Sequence, residues 1–410
     1  MKQQSMRNII TFVLAGGKGE RLNPLTRDRA KPAVPFGGIY RIIDFTLSNC
    51  INSGLRRIFV LIQYKSFSLQ KHILSGWDVV STQLGEFIDV VPAQQRLGDD
   101  WYKGTADAIY QNIYAINDHA PEWVLILAGD HLYKMDYQKM LEAHLNSGVD
   151  VSVGCIKMPK EDSPHFGVIE VDSNNFICGF QEKPQVPQTI PSEPEKIFAS
   201  MGIYLFNSSA LVKELTRDAE DIRSDHDFGK NIIPRMVADK KKLLAYDFGQ
   251  QSGYWRDIGT RDAYYQSNMD LIKSDPPFNL YDKTWPLRTH YSHYPPVLMK
   301  TGVEQKAGFV GGVFDSIVSP GCLIDGGRVE RSVLSPMVIV GSQALVQDSV
   351  IMENVTIGAR AQIKNAIIDK QVTVPEGEKI GYDLELDRKR FSVTASGIVI
   401  VAKRTPIENG

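Results

Sequence analysis

The chain has 410 residues, of which 43% are hydrophobic, and its formal net charge at pH 7 is −2. This length predicts two or three domains with sizeable apolar cores. The near-neutral charge argues against nucleic-acid or membrane binding driven by bulk charge, and no apolar run approaches the length of a membrane span. Because the start of the sequence leads directly into a strand-like segment without a cleavage pattern, we expect a cytoplasmic protein.

The first notable segment follows an apolar run, Ile9–Leu14, that is typical of a buried strand. Gly16 and Gly17 come where that strand should end, and the stretch from there to Arg41 has a clear excess of lysine and arginine. Backbone amides of glycine can approach phosphate oxygens closely, and nearby cations neutralise the remaining charge. The loop predicts a phosphate site, although it matches neither a P-loop nor a dinucleotide fingerprint. A surface turn with solvated charges is the alternative.

Strands and helices alternate over the first 150 residues. The predicted strands are 9–14, 57–63, 87–92 and 123–128, and the predicted helices are 41–53, 65–75 and 106–118. This alternation predicts βαβ units and a parallel sheet, with ligands at the carboxyl ends of the strands. Shorter extended segments follow from 150 to 206, then a strand at 243–248 and a helix at 261–273. We therefore assign 1–273 to a Rossmann-like α/β domain with a mostly parallel sheet, and the proline-rich stretch 274–296 to a linker.

The C-terminal part, 297–410, has a different period. Aliphatic residues recur there at six-residue spacing, namely Val333, Ile339, Leu345, Ile351, Ile357 and Ile363. This repeat is the mark of a left-handed parallel β-helix, in which each hexad forms one side of a triangular coil. Such a solenoid offers flat faces to neighbouring subunits or to the first domain. The four cysteines form no C-x-x-C pair, and we expect them to be buried thiols.

Two aspartates are candidate metal ligands. Asp130 directly follows the apolar strand 123–128, and Asp257 lies in the glycine-bracketed loop GYWRDIGT. Magnesium takes one or two carboxylates together with substrate phosphates. The alternative is that each aspartate caps a turn or a helix.

Further candidates for anion and base recognition follow. Pro184 favours an extended backbone at Lys183, so that its ammonium can project from a strand end onto a phosphate, although a solvated surface lysine is the alternative. The segment Trp101–Thr105 precedes a helix N-terminus, where free N–H groups could bind an anion; a capped helix is the alternative. Gln95 could contact a base edge or only satisfy backbone groups.

Nine sequence blocks, which precede the hexad repeat, resemble those of the bacterial glucose-1-phosphate adenylyltransferases, also called ADP-glucose pyrophosphorylases, and occur in the same order. The blocks are LAGGKGERLNPLTRDRAKPAVPFGG, PAQQR, WYKGTADA, LAGDHLYKMDY, FGVIEV, FQEKP, ASMGIYLF, HDFGKNIIP and YWRDIGT. The resemblance implies a nucleotidyltransferase domain at 1–273, a linker at 274–296, and a β-helix at 297–410 for regulation and oligomerisation. It implies a reaction in which ATP and α-D-glucose 1-phosphate give ADP-glucose and pyrophosphate, the committed step towards glycogen.

The resemblance also implies roles for individual residues, grouped by ligand. It assigns Gly16, Gly17, Arg21, Lys31 and Gln95 to ATP, and it makes Arg21, Lys31 and Asp130 the catalytic residues. It assigns Tyr102, Gly167, Glu182, Lys183 and Ser200 to glucose 1-phosphate, and Asp130 and Asp257 to Mg²⁺.

Members of this family are usually homotetramers regulated by small anions such as a sugar phosphate, pyruvate, AMP or phosphate. Arg29, Arg41 and Lys370 match basic positions of the family's effector site. Asp28, Pro35 and Asp118 depart from the family pattern, and the identity of the effector therefore stays open.

Three other functions compete with this assignment. A β-helix acyltransferase would need a histidine base in its solenoid, and no histidine follows His293. A non-catalytic regulatory subunit would lose charges at the site, whereas the charged candidates are all present here. A UTP- or dTTP-using sugar-phosphate nucleotidyltransferase is the nearest rival.

Overall fold

The computed structural model describes residues 2–94, 100–251, 253–301 and 309–408. The chain separates into two compact units. The first unit comprises Met1–Gly17, Phe45–Ser66 and Trp77–Trp255, and the second comprises Lys18–Asp44, Phe67–Gly76 and Arg256–Gly410. Most of the cation-rich loop therefore groups with the C-terminal part of the chain. The domain limits after residues 273 and 296 stay a prediction, and the described stretch 271–297 contains no helix or strand.

The described residues form ten α-helices. They are α1 (Lys2–Arg7), α2 (Ile42–Asn52), α3 (Phe67–Gly76), α4 (Thr105–Tyr110), α5 (Ile113–His119), α6 (Tyr137–Ser147), α7 (Ser208–Ala219), α8 (Ile233–Ala238), α9 (Arg261–Asp270) and α10 (Leu384–Arg390). None of these helices in the described part of the chain has the length and apolar character needed to cross a bilayer.

The strands fall into two groups along the chain. The first group is β1 (Ile9–Leu14), β2 (Pro35–Phe36), β3 (Tyr40–Arg41), β4 (Arg57–Ile62), β5 (Phe87–Pro92), β6 (Trp123–Ala128), β7 (His131–Tyr133), β8 (Val151–Pro159), β9 (Gly167–Val171), β10 (Ile177–Glu182), β11 (Lys196–Asn207), β12 (Leu243–Asp247) and β13 (Trp255–Asp257). The second group is β14 (Leu298–Lys300), β15 (Gly312–Phe314), β16 (Ile317–Val318), β17 (Leu323–Asp325), β18 (Arg328–Glu330), β19 (Val333–Leu334), β20 (Ile339–Val340), β21 (Leu345–Gln347), β22 (Val350–Ile351), β23 (Thr356–Ile357), β24 (Gln362–Lys364), β25 (Ala366–Ile368), β26 (Thr373–Val374), β27 (Lys379–Ile380), β28 (Ser392–Val393) and β29 (Val399–Val401).

A nine-stranded sheet forms the centre of the first unit. β1 pairs in parallel with β4 and β6, and β4 pairs in parallel with β5, which confirms the predicted parallel arrangement. Strands β1, β4 and β6 are almost continuously apolar and buried because helices cover both faces of such a sheet, whereas β5 at its edge is only half-buried. The long strand β11 then adds antiparallel pairs with β6, β8 and β9.

Two details of the first unit differ from the sequence prediction. The single helix expected over residues 106–118 is divided into α4 and α5. At the break, the Asn112 side chain donates to the Ala108 carbonyl and to the Tyr102 hydroxyl, since asparagine readily competes for backbone partners. Of the four cysteines, Cys178 is exposed rather than buried.

The C-terminal part of the second unit is the predicted parallel β-helix. Three parallel sheets run along it, and each strand pairs with the corresponding strand of the next coil. Val329 pairs with Val346, and Val346 with Ile363, so that one coil takes 17 residues. Non-glycine residues with positive φ recur at the corners, as in Arg331, Asp348 and Asn365.

The 17-residue coil changes the predicted register. Because three hexads would need 18 residues, a strict six-residue repeat cannot remain on the inner face. Ile339 is therefore 39% exposed, while the neighbouring Val340 is fully buried in the core. From Ile351 to Ile363 the six-residue spacing does coincide with buried positions.

The segment Lys18–Asp44 is anchored within the second unit. The Tyr264 hydroxyl donates to the Pro35 carbonyl at 2.6 Å, and the Gly37 amide donates to Asn268 Oδ1 at 3.0 Å. Gly38 has φ +87°, and an added Cβ would lie 2.6 Å from Ser319 Oγ. The cation-rich loop is thus fixed at its far end against α9 and the β-helix.

Candidate active site

The ends of two neighbouring parallel strands place Gly16 and Asp130 on the same edge of the sheet. Leu14 of β1 lies opposite Ala128 of β6, and each candidate follows its strand by two residues. The Gly129 amide donates to the Leu14 carbonyl at 3.0 Å, which holds the two strand ends together. Carboxyl ends of parallel strands are the usual ligand edge of such a sheet.

The paired glycines meet different surroundings. A Cβ added at Gly16 would lie 3.2 Å from Gln63 Cβ. A Cβ added at Gly17 would have no described atom within 4 Å, apart from its chain neighbours. The backbone at Gly17 is therefore open to a ligand on its side-chain side. This is the surface that a triphosphate needs in order to reach backbone amides.

Asp130 is half-buried beside an aromatic wall. His131 Nε2 lies 3.5 Å from Asp130 Oδ1, and the His131 ring packs edge-on against Trp255 at a centroid distance of 5.2 Å. Phe166 packs against the other side of the Trp255 ring. These rings restrict His131, which in turn limits the positions open to the Asp130 carboxylate.

The predicted sugar-phosphate residues Gly167, Glu182 and Lys183 are brought together. Gly167 lies opposite Glu182 in the β9–β10 pair. A Cβ on Gly167 would lie 2.6 Å from the Phe180 ring and 3.2 Å from Glu182 Oε2, and Gly229 faces the same two side chains. A side chain at position 167 would therefore collide with Phe180, whereas a Cβ on Gly229 would lie 3.3 Å from the Phe180 ring and need only a small shift.

The extended backbone predicted for Lys183 is wrong, because its φ is +50°. The Lys183 amide donates to the Phe166 carbonyl at 3.1 Å, and its Nζ lies 2.9 Å from Glu182 Oε1. These contacts hold a non-glycine residue in a sparsely populated conformation. The ammonium of Lys183 is well exposed and open to a ligand.

Ser200 and Tyr102 lie on other elements of the first unit. Ser200 precedes an irregularity in β11, and its Oγ accepts from the Gly202 amide at 3.4 Å. The Tyr102 hydroxyl accepts from Asn112 Nδ2 at 2.9 Å, and burial raises the pKa of this phenol. Tyr102 is therefore a neutral group that can donate a hydrogen bond.

The segment HDFGKNIIP, residues 226–234, packs beside the loop that carries Tyr102. In the structure the His226 carbonyl accepts from the Ala106 amide at 2.8 Å, and a Cβ on Gly104 would lie only 2.3 Å from that carbonyl oxygen. His226 has φ +51°, and its Nδ1 lies 2.8 Å from Asp218 Oδ2. This segment supports the loop that carries Tyr102, and the close approach explains why position 104 is glycine.

Three charged candidates cluster in the second unit. The buried Lys31 ammonium lies 3.1 Å from Asp257 Oδ1. A Cβ added at Gly259 would lie 2.8 Å from Asp257 Oδ2 and 3.3 Å from Arg21 Nη2. The glycine thus permits two cations and a carboxylate to gather around one stretch of backbone.

A separate open cleft lies in the second unit. Arg41 and Lys370 both line it, together with Glu353, Tyr294 and His72. Arg41 donates to the Ser68 carbonyl and hydroxyl, and burial lowers the pKa of both Arg41 and Lys370. Buried cations of this kind favour an anionic ligand, since an added negative charge offsets the cost of their burial.

Arg29 is not among the residues that line this cleft. Its side chain is buried, and its Nη2 donates to both oxygens of Asp369 at 2.6 and 2.7 Å. Asp369 also accepts from the Lys370 amide at 2.6 Å. Arg29 therefore fixes the backbone next to Lys370.

Gln95 lies outside the described residues, and its predicted role stays a prediction.

Comparison with known proteins extends these observations. A family model described as "Nucleotidyl transferase" matches residues 10–274, and one described as "GlmU-like, C-terminal hexapeptide" matches residues 300–401. Glucose-1-phosphate adenylyltransferases of Koribacter versatilis and Rhodopirellula baltica are each 51% identical over 404 residues. These matches cover 97% of this chain and 96% and 90% of the two relatives. A glucose-1-phosphate adenylyltransferase of an Anaeromyxobacter species is 48% identical over an alignment of 413 positions that covers 98% of this chain and 100% of the relative.

Proposed function

The chain belongs to the glucose-1-phosphate adenylyltransferase family, and we propose that Gly16, Gly17, Arg21, Lys31 and Asp130 carry its reaction. The enzyme transfers an adenylyl group from ATP to α-D-glucose 1-phosphate and releases pyrophosphate, the committed step of glycogen synthesis. The clustering of Arg21 and Lys31 around Asp257 and Gly259 is the observation that carries the proposed roles.

In the proposed mechanism, a phosphate oxygen of glucose 1-phosphate attacks the α-phosphorus of ATP, and the bond to the β-phosphate bridging oxygen breaks. No strong base is needed because the attacking oxygen is already an anion. The barrier lies in bringing two anions together and in stabilising the charge that develops on pyrophosphate. Arg21 and Lys31 meet that charge, while the amides of Gly16 and Gly17 hold the triphosphate.

The acceptor half of the site is proposed to use Tyr102, Gly167, Glu182, Lys183 and Ser200. Lys183 supplies a cation for the phosphate, and the Glu182 carboxylate suits the hydroxyl groups of a sugar. This division is supported by the contact between the two side chains at 2.9 Å, which presents both charges at one strand end. A bound phosphate would therefore replace Glu182 as the ionic partner of the Lys183 ammonium.

Asp130 and Asp257 stay the predicted ligands of Mg²⁺. Each offers carboxylate oxygens, the donor type that this hard cation prefers. When bound, magnesium would neutralise phosphate oxygens and help to align the reacting groups. Asp257 contacts the Lys31 ammonium at 3.1 Å, so a bound magnesium would share this carboxylate with Lys31.

Replacing Asp130 tests the proposed site directly. Asp130→Ala is expected to fold normally and to lose roughly 10²–10³ in kcat, the usual cost of removing one charge-stabilising contact. Pyrophosphate release from ATP and glucose 1-phosphate is the assay, and Asp78→Ala, at an exposed aspartate of the same unit, is the control. If purified Asp130→Ala stays within about tenfold of wild type, its proposed role is wrong.

The choice of nucleotide is tested in the same assay. ATP, UTP and dTTP are compared at equal concentration with glucose 1-phosphate as acceptor. A clear preference for ATP supports adenylyl transfer, a preference for UTP or dTTP supports the rival assignment, and no turnover with any of them supports a non-catalytic subunit.

The cleft in the second unit is proposed to bind a small anionic effector through Arg41 and Lys370. Arg29 does not line the cleft and would position Lys370 through its ion pair with Asp369. Wild type and Lys370→Ala are titrated with fructose 6-phosphate, fructose 1,6-bisphosphate, pyruvate, AMP and inorganic phosphate. A loss of response in Lys370→Ala supports the site, and identical titrations exclude Lys370 from it. A homotetramer, measured by light scattering, and a cytoplasmic location complete the proposal.

A further inference from the structure

One ammonium group in the cleft already has an anionic partner from the same chain. Lys370 Nζ lies 2.5 Å from Glu353 Oε2, and the Tyr294 hydroxyl donates to Glu353 Oε1 at 2.8 Å. Both oxygens of this carboxylate are therefore held inside the cleft that an anionic effector would enter.

The β-helix brings these two residues together. Ile351 of β22 pairs in parallel with Ile368 of β25, and Glu353 and Lys370 each follow their paired residue by two positions. They occupy equivalent places in successive coils, 17 residues apart. The ion pair is thus built into the stacking of the coils rather than formed by chance between mobile surface groups.

The carboxylate of Glu353 is ionised at neutral pH. Burial opposes its charged form, but Lys370, the hydrogen bond from Tyr294 and the nearby Arg41 outweigh burial and lower its pKa. Apart from its histidines, the charged lining of the cleft consists of two cations, Arg41 and Lys370, and this one carboxylate. The cleft therefore carries about one net positive charge rather than two.

We propose that Glu353 is an internal competitor for the effector: it occupies the Lys370 ammonium until a small anion displaces it, and it restricts the cleft to anions of low charge. This inference rests on the effector site proposed above. An entering carboxylate or phosphate must replace the contact between Glu353 and Lys370, so its affinity is reduced by the strength of that contact. An anion with several charges is also repelled by Glu353 more strongly than a monocarboxylate is.

Glu353→Gln tests the competition because glutamine keeps the shape and can still accept from Tyr294 while it loses the charge. A hydrogen bond to a charged group is stronger than one between neutral groups, so we expect the dissociation constant of pyruvate to fall at least about tenfold. The affinity for fructose 1,6-bisphosphate should increase by a larger factor than the affinity for pyruvate, since fructose 1,6-bisphosphate carries more charge. Affinities are measured by calorimetry on the full-length protein, so that the readout does not depend on catalysis.

Glu330→Gln is the matched control. Glu330 lies on β18 of the same β-helix, is similarly paired with Arg328 and Gln347, and is not among the residues that line the cleft. It should leave both affinities unchanged. If Glu353→Gln does not fold, Glu353→Ala is used in its place.

The outcomes separate this inference from the proposed site. If Lys370→Ala binds both anions as wild type does, the effector site itself is wrong. If Lys370→Ala weakens binding while Glu353→Gln matches wild type, the site stands and the competition is refuted. Weaker binding in Glu353→Gln would also refute it, because Glu353 would then be a ligand of the effector.

Discussion

The buried ion pair between Arg29 and Asp369 should make a large contribution to the stability of the second unit. The two side chains are only 5% and 1% exposed. Removing one partner of a buried pair costs about 3–5 kcal/mol because the other charge is left without compensation. In Arg29→Met, Asp369 keeps its bond from the Lys370 amide, which places the expected loss near 3 kcal/mol, at the lower end of that range.

The loss is measured as a fall in melting temperature by calorimetry. For a unit of this size, 1 kcal/mol corresponds to a shift of about 2–4 °C, so Arg29→Met should melt about 6–12 °C lower. Arg27→Met is the control, because the pair between Arg27 and Asp28 is 49% and 42% exposed. Exposed pairs contribute about 0–1 kcal/mol, and the control should therefore shift by less than about 4 °C.

A second variant distinguishes burial from a simple loss of contacts. Arg29→Met combined with Asp369→Leu removes both charges and should recover most of the melting temperature, since apolar replacements of a buried pair are often neutral or stabilising. If Arg29→Met alone melts within about 2 °C of Arg27→Met, the reasoning from burial is wrong.

Three further predictions concern single positions. Lys183→Ala should raise KM for glucose 1-phosphate by at least about tenfold with an unchanged melting temperature, because it removes a phosphate contact and only an exposed ion pair. Gly17→Ala should raise KM for ATP without loss of stability, since its Cβ enters open space that the triphosphate would use. Val340→Ala should cost about 2 kcal/mol in stability, whereas Ile339→Ala should cost much less, because only Val340 is fully buried.

The outcomes that would contradict these predictions are equally specific. An unchanged KM for glucose 1-phosphate in Lys183→Ala would remove that lysine from the acceptor site. A lower melting temperature in Gly17→Ala, with normal ATP kinetics, would mean that Gly17 has a structural role. Equal losses of stability at positions 339 and 340 would contradict the register of the β-helix.

The parts of the fold with simple periodicity could be predicted from the sequence. Apolar runs at 9–14, 57–62 and 123–128 became the parallel strands β1, β4 and β6, because a strand buried on both faces must be apolar along its whole length. The grouping of Gly16 with Asp130 followed from the same rule, since both lie just beyond such strands.

Other features depend on contacts that a sequence pattern does not reveal. The conformation of Lys183 is set by the Phe166 carbonyl, and the break between α4 and α5 by a side-chain hydrogen bond of Asn112. Glu353 reads in sequence as one more polar residue of a solenoid. Its contact with Lys370 becomes visible only when the coil length is known.

The 17-residue coil in the middle of this β-helix also determines how the β-helix can change in size. Val346, Ile363 and Ile380 stack in one column because each strand is displaced from the next by 17 residues. Gain or loss of one residue within a strand would turn every later inward side chain towards solvent. Gain of a whole coil, such as a second copy of residues 344–360, would preserve the inward columns and all three corners. Evolution can therefore lengthen this part of the chain in steps of one coil, while shorter insertions are confined to the corners.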